Sequence, residues 1–445
     1  MDYRFSPGSP YHSDFKDPLA YPMRNKDYFQ GKQVLVVGFA RSGLASANLF
    51  HALGAKVWVT DNHDNENTRR NLSQLKSKEI KVELGRHSPD FVKGKDIIVL
   101  SPGVPNDALP VLCAKEEHIP VISEIELGWI LCPAQVLAVT GTNGKTTVTT
   151  LIGKVLEAAG KRVFTCGNIG RPFCSEVEKM REGDFVALEI SSFQLENIAT
   201  FKPKIATLLN LSRNHLDRYK DMADYLAAKK RIFKNQDSAD YLLLNSDDPA
   251  IRSLAKEAKS KIVYFRKEEG LNPNQSAVLS IALILGIDKD LVMRVFKEFK
   301  GVEHRLEEVL KINGVRFIND SKSTTTEATI WALNNLSEPL ILIAGGREKG
   351  NDYNLVLELA AKKVKAAVLI GEAKEKIKKV FSPAINTLGA ATLEEAVKKA
   401  YQLALPGDCV LFSPMCKSFD MFSDYEDRGR SFKNIVSELD KVKVY

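Results

Sequence analysis

The heptapeptide Gly141-Thr142-Asn143-Gly144-Lys145-Thr146-Thr147 has the residue types that hold a polyphosphate. Backbone N–H groups of Thr142, Asn143, Gly144 and Lys145 can converge on phosphate oxygens. Lys145 adds a point charge for the β- and γ-phosphates, and the Thr146 hydroxyl suits Mg²⁺. The common phosphate loop reads G-x-x-x-x-G-K-[ST], and its first glycine would fall at Val139, so the usual spacing is broken. An apolar run enters the loop and a helix-periodic run leaves it, which is the required strand–loop–helix context.

Mg²⁺ needs further oxygen ligands, expected from neighbouring strand ends. Glu189, in "LEISSFQLE", lies in an otherwise aliphatic strand, where a carboxylate is costly unless paired or metal-bound. A salt-bridged structural role is its other reading. His215, in "LNLSRNHLDRYKD", follows another strand and is either a ligand or a surface histidine. Lys229, in the helical "DYLAAKKRIF", follows two alanines, and its plain reading is a lysine on the solvated face.

Two more regions carry chemistry. "GFARSG", Gly38 to Gly43, reads G-x-A-x-x-G between a strand and a helix, with Gly38 at the turn and helix N–H groups open to a phosphate. Asp61 ends the next strand, where a carboxylate would meet a ribose or base, and "SPGVP", Ser101 to Pro105, could close the same crevice. A structural turn explains the motif too, and alone it cannot choose NAD from another nucleotide. The C-terminal third offers "HR" (His304, Arg305), "NDSKST" (Asn319 to Thr324), "GGREKGNDY" and "SPMCKSFDMFSDYEDRG" at strand ends. Ser418 is expected to begin a helix and to help hold a carboxylate there, or simply to cap it.

These groups need a scaffold of strand ends. Twelve short apolar runs alternate with helical stretches, from "QVLVVG" (Gln33 to Gly38) to "CVLFSP" (Cys409 to Pro414). Continuous apolar character implies strands buried on both faces, hence parallel sheets and an α/β fold. At 445 residues the chain predicts several domains. The reading is three in series: a Rossmann-like domain 29–132, a central phosphate-loop domain 133–300, and a second Rossmann-like domain 301–445. Residues 1–28 read as a loose extension. They lack the apolar core of a signal peptide, and their four aspartates argue against a transit peptide.

A net charge of +7 is modest for this length, and no basic-aromatic interleaving suggests nucleic acid. The six cysteines form no C-x-x-C pair, so free thiols in a reducing cytoplasm are expected. No apolar stretch is long enough to span a membrane. A dinucleotide-dependent oxidoreductase, suggested by "GFARSG" and Asp61, would leave the Lys145 loop and Glu189 without a role.

The motifs taken together resemble the Mur ligases of peptidoglycan synthesis. "TGTNGKTT", "GNIG", "LEISSFQLE", "NHLDRY", "AAK", "HR", "NDSK", "GG…KG" and "SP…SFDMF…YEDRG" occur in that family's order, from about residue 30 to the C-terminus. The last motif and G-x-A-x-x-G resemble the members that add D-glutamate. The D-N-P-R type motif of the siblings that add meso-diaminopimelate is absent.

The resemblance implies an ATP- and Mg²⁺-dependent amide ligase, monomeric, acting on UDP-N-acetylmuramoyl-L-alanine and D-glutamate without a nucleic-acid or membrane partner. It implies that the loop Gly141 to Thr147 binds ATP, with His304, Arg305 and Asp320 also near the nucleotide. Thr146, Glu189, His215 and Lys229 would hold the metal, with Lys229 carbamylated by CO₂. Gly38, Ala40, Arg41, Ser42, Gly43, Asp61, Ser101, Pro102, Gly103 and Asn168 would meet the UDP-sugar. Lys322, Thr324, Lys349, Ser418 and Tyr425 would surround D-glutamate. The chain departs from the family at Asn214 (often Asp), at Thr325 (an amide), at Tyr425 (often Phe), and at "NPNQS", Asn272 to Ser276, where the family has "HNxxN".

Overall fold

Aliphatic runs too short for helices become strands, and those with apolar side chains on both faces become the interiors of sheets. The computed structural model describes residues 24–215, 218–348 and 350–441. It divides into two compact units, one ending at Phe299 and the other beginning at Lys300.

The first unit holds two sheets. One comprises β1 (Gln33–Val37), β2 (Lys56–Asp61), β3 (Lys81–Leu84), β4 (Ile97–Leu100) and β5 (Val121–Ser123), in the order β3-β2-β1-β4-β5. The other comprises β6 (Gln135–Thr140), β7 (Val163–Gly167), β8 (Phe185–Glu189), β9 (Ile205–Leu208), β10 (Tyr241–Asn245) and β11 (Lys261–Phe265), in the order β11-β10-β9-β6-β8-β7. All pairings in both are parallel. In the second sheet Val136 and Ala138 of β6 face one apolar cluster and Leu137 and Val139 the other. The first of these clusters continues through Phe173 and Ile125 to Val34 and Phe50, so one core serves both sheets.

The second unit holds β12 (Glu307–Ile312), β13 (Val315–Asn319), β14 (Leu340–Gly345), β15 (Val364–Ile370), β16 (Asn386–Gly389) and β17 (Cys409–Phe412). Their order is β12-β13-β17-β14-β15-β16. β12 and β13 form an antiparallel hairpin; the other pairings are parallel. Apolar clusters cover both faces.

The α/β reading with parallel sheets therefore holds. All six cysteines are free, and no helix among the described residues is long and apolar enough to cross a membrane. The N-terminal segment needs a correction. From Arg24 on it is structured: the Arg24 N–H donates to Ile130 O at 2.7 Å, and Lys26–Phe29 form a short 3-10 helix that buries Phe29. The buried Phe29 and the Arg24 hydrogen bond together anchor it. Residues 1–23 lie outside the described residues.

The helix Glu124–Leu131 is buried among the apolar groups joining the two sheets, and it carries two buried glutamates. Glu126 accepts the N–H groups of Ala199, Thr200 and Phe201 and the Thr200 hydroxyl at 2.5–3.0 Å. Glu124 is less well matched. Its Oε1 accepts Cys174 N–H at 2.7 Å, and its Oε2 has no partner among the described residues. Burial pushes its pKa from 4.5 up to about 7, against the backbone N–H groups of Cys174 and Phe173 that favour the anion.

The sign of the consequence follows. The folded state holds a proton that the unfolded chain releases above pH 4.5, so Glu124 costs stability increasingly as pH rises towards 7. Glu124→Gln should gain stability over the parent between pH 5 and 8 in denaturant unfolding, by about 2 kcal/mol at the upper end. An unchanged difference across that range would contradict it.

Candidate functional site

The C-terminal ends of β7, β8, β6 and β9 lie side by side, and each delivers a candidate residue. Register pairs Val139 with Glu189 and Gly167 with Glu189, so the phosphate loop, Glu189 and Asn168 leave the sheet at one level. Open α/β sheets bind ligands at this edge.

The loop is held from below. Thr142 N–H donates to Asn210 O at 3.1 Å, and Asn143 N–H donates to Asn210 Oδ1 at 2.9 Å. Asn210 Nδ2 donates back to Asn143 O at 3.1 Å. Two of the four N–H groups expected to meet phosphate are thus taken by Asn210, which follows β9. The cradle shifts to the first turn of the helix Lys145–Ala158, whose N–H groups have no acceptor within the helix. Sequence reading missed Asn210; an amide just past a strand end was the available signal.

Lys145 and Lys229 converge. Lys145 Nζ donates to Gly141 O at 3.0 Å and to Thr142 O at 2.9 Å. Lys229 Nζ donates to the same Gly141 O at 3.0 Å and lies 4.4 Å from the centre of the Tyr225 ring. Lys229 is 1% exposed, which removes the solvated-face reading. Its helix, Met222–Lys230, buries Tyr225, Ala228 and Lys229 together. Burial, reinforced by Lys145, holds the Lys229 pKa well below the ordinary lysine value.

Glu189 is 1% exposed and forms no ion pair among the described residues, so the salt-bridge reading is also removed. Asn168 Nδ2 donates to its Oε1 at 2.7 Å, while its Oε2 is buried without a partner. An orphaned carboxylate oxygen beside a phosphate loop fits a hard cation. The neutral amine of Lys229 is the form that reacts with CO₂, so the donor set fits Mg²⁺ and a carbamate. His215 has φ +57°, and its ring meets Phe193 edge-on at 4.7 Å. Thr146 and Thr147 open the helix, both half-buried.

In the first sheet, "GFARSG" bridges β1 and the helix Arg41–Ala52 beside the β1/β4 switch point. A Cβ on Gly43 would lie 1.9 Å from Gly38 O, so a glycine is required at 43 for close helix–strand packing. Asp61 Oδ2 accepts Phe39 N–H at 2.7 Å and its Oδ1 accepts His63 N–H at 2.8 Å. It supports the turn itself. Ser101 Oγ donates to Gly38 O at 2.8 Å, which ties the Ser101–Pro102–Gly103 turn to the motif. Arg41 reaches Gly170 O at 3.4 Å, next to Asn168. Ala40 precedes the helix and Ser42 lies in its first turn.

In the second unit His304 (φ +63°) is buried, its Nδ1 2.9 Å from Asn319 Nδ2 and its N–H donating to Glu307 Oε2 at 2.9 Å. The ring thus anchors the turn that presents Arg305. Arg305 donates to Ser323 Oγ at 3.1 Å and lies 3.9 Å from Asp320 Oδ1. Asp320 is fully buried. Burial raises its pKa against Arg305, Ser323 and Ser413. Glu303, His304 and Glu307 could geometrically hold a metal, but Lys433 Nζ already sits 2.6 Å from Glu303 and 2.9 Å from Glu307.

Lys322 Nζ lies 5.3 Å from the centre of the Tyr425 ring, and Thr324 follows in the same turn. Ser418 does not begin a helix. It is buried in a turn in which Met421 and Phe422 donate to its carbonyl, and the helix starts at Tyr425. Asp424 captures that start, accepting Asp427 N–H at 2.7 Å, so the better cap wins. Lys349 lies outside the described residues. Two departures have local explanations: Thr325 caps the helix Thr326–Asn334, and Asn272 forms a capping box with Gln275.

Gly144 gives a test of the cradle. Its φ is +82°, and a Cβ there would lie 2.4 Å from Asn274 Oδ1. Gly144→Ala should weaken binding of a nucleoside triphosphate at least about tenfold by calorimetry, with the far-ultraviolet circular dichroism unchanged. Parent-like affinity would contradict the cradle.

Comparison with known proteins gives the family. Three family models match: a Mur ligase MurD-like N-terminal domain at residues 32–123, a Mur ligase middle domain at 139–281, and a Mur ligase glutamate ligase domain at 304–416. The chain is 41% identical to the UDP-N-acetylmuramoylalanine–D-glutamate ligase of Thermoanaerobacter pseudethanolicus, covering 92% of this chain and 99% of that one. It is also 41% identical to the ligase of that name from Geotalea uraniireducens, covering 92% and 98%. The fold is similar to two solved structures from Thermotoga maritima. The UDP-N-acetylmuramate–alanine ligase has a TM-score of 0.59 at 18% identity, covering 93% of this chain and 100% of that one. The MurF ligase in complex with ADP has 0.59 at 16%, covering 94% and 98%. The chain belongs to the Mur ligase family.

Proposed function

We propose that the chain is an ATP-dependent amide ligase that joins D-glutamate to UDP-N-acetylmuramoyl-L-alanine in cytoplasmic peptidoglycan precursor synthesis, working as a monomer. The observation that carries the reading is the pair Lys145 and Lys229 on one loop carbonyl, beside a glutamate with an unpartnered oxygen. An oxidoreductase has no use for that arrangement. The names of the 41% identical relatives support the substrates.

The reaction sets an anion against an anion. The carboxylate at the L-alanine end attacks the γ-phosphorus of ATP, and ADP leaves. The product is an acyl phosphate. The amine of D-glutamate attacks its carbonyl carbon and loses a proton, a tetrahedral intermediate forms, and phosphate departs. Lys145 balances the charge that builds on the phosphoryl oxygens. Mg²⁺, when bound, would neutralise phosphate charge further, held by Thr146, Glu189, His215 and a carbamate on Lys229. To form that carbamate the neutral Lys229 amine adds to CO₂ and releases one proton. Asn168 keeps Glu189 Oε1 occupied, so Oε2 is the oxygen offered.

The roles divide along the chain. Residues 29–132 take the UDP-sugar, 133–300 take ATP, and 301–445 take the amino acid. Arg305 and Asp320 are assigned to the nucleotide, with His304 beneath them. Lys322, Thr324, Lys349, Ser418 and Tyr425 are assigned to D-glutamate, where Lys322 supplies charge for a carboxylate.

ADP release should require ATP, UDP-N-acetylmuramoyl-L-alanine and D-glutamate together, each omission abolishing it. Equal release without acceptor or amino acid would overturn the reading. Lys145→Ala should lower turnover at least about a hundredfold with the fold intact. Lys229→Ala should lose activity and regain part of it with acetate, which replaces the carbamate oxygens. Loss without rescue would return Lys229 to a structural role.

A further inference from the structure

Arg218 lies three residues after His215, and no role assigned above uses it. The backbone N–H groups of Arg218 and Tyr219 both donate to His215 O at 3.0 Å. The same two residues send their side chains to Glu196. Arg218 Nε donates to Oε1 at 3.2 Å, Arg218 Nη2 to Oε2 at 2.6 Å, and the Tyr219 hydroxyl to Oε1 at 2.6 Å. Asn106 Nδ2 completes the set at 3.0 Å on Oε2. The Glu196 carboxyl group thus accepts four bonds.

The guanidinium also reaches the first sheet's loop. Arg218 Nη1 donates to Pro102 O at 3.3 Å and Nη2 to Val104 O at 3.2 Å. That loop is the turn tied to Gly38 through Ser101. The guanidinium carbon lies over the Phe193 ring, 4.4 Å from its centre, and that ring meets the His215 ring edge-on at 4.7 Å. One side chain therefore touches the acceptor turn, the second unassigned charge, Glu196, and the aromatic that positions His215. Arg218 and Glu196 side chains are 19% and 10% exposed, so water competes weakly for these charge-assisted bonds. His215 has φ +57°, a backbone state uncommon for a non-glycine residue and stabilised where the surroundings hold it. The N–H groups of Arg218 and Tyr219 on its carbonyl help to hold it.

We infer that Arg218 is a positioning residue that holds the acceptor turn and the His215 loop in one frame, so that acceptor and divalent cation bind cooperatively. This rests on the ligase reading, in which Pro102 and Gly103 face the UDP-sugar and His215 faces the cation. Only arginine fits the task. Its planar fork serves two carbonyls and a carboxylate at once, and a lysine ammonium has neither the reach nor the geometry. Linkage makes the effect reciprocal: whichever ligand orders the frame first lowers the ordering cost for the other.

The test measures Mn²⁺ binding by electron paramagnetic resonance, with a non-hydrolysable ATP analogue present, with and without UDP-N-acetylmuramoyl-L-alanine. In the parent the acceptor should tighten Mn²⁺ about tenfold, and Mn²⁺ should tighten the acceptor by the same factor in calorimetry. Arg218→Lys should weaken both and reduce the coupling below about twofold. Tyr219→Phe removes one bond to Glu196 and leaves the guanidinium, so it should fold normally with intermediate coupling. It keeps the test decisive should Arg218→Lys fail to fold. Parent-like coupling in either variant, or no coupling in the parent when both ligands bind, overturns the inference alone. A parent that binds neither ligand overturns the ligase reading with it.

Discussion

Two lysine amines donate to one backbone carbonyl, that of Gly141, within a phosphate loop. Two ammonium groups so close, one of them out of contact with water, would repel each other. Burial, and after it the neighbouring Lys145, hold the Lys229 pKa well below the ordinary lysine value. The remaining chemistry depends on that asymmetry. A neutral amine can become an anionic oxygen donor by taking up CO₂, and a permanently charged one cannot. The same carbonyl thereby relates a positive group for phosphate and a latent negative group for metal.

Holding this arrangement is the task of a parallel sheet whose strand ends stop at one level. Glu189 lies in register with both Val139 and Gly167, and Asn210 follows the strand on the other side of the loop. Each strand is apolar on both faces, so its register is set by two cores rather than one. The first of those cores runs on into the neighbouring sheet, and buried Glu126 stitches the junction with four hydrogen bonds. The glycine motif of the first sheet is thereby carried on the same framework as the phosphate loop.

Much of this was legible in the residues, for a physical reason. Strands buried on both faces leave continuous apolar runs, and every interior strand of the three sheets was read that way. β3, β5, β7, β12 and β16 leave no such run in the sequence: all are at sheet edges, where one neighbour is lacking and the apolar run is short or broken. For β12 the Asn313-Gly314 turn was the overlooked signal, with both residues at positive φ. Ser418 was misplaced because a serine before a helical pattern reads as a cap, while Asp424 performs that role closer to Tyr425. The burial of Lys229 was hidden because composition does not tell which face of Met222–Lys230 packs inward. Arg218 and Glu196 were hidden because a hydrogen-bonded network between distant loops has no local pattern.

The central claim is that the acceptor's carboxylate captures the γ-phosphoryl group before the amine arrives. Labelling that carboxylate with ¹⁸O and analysing the released phosphate by mass spectrometry tests it directly. The account predicts one ¹⁸O atom transferred to each phosphate formed. Phosphate free of label, with amide still produced, would contradict it.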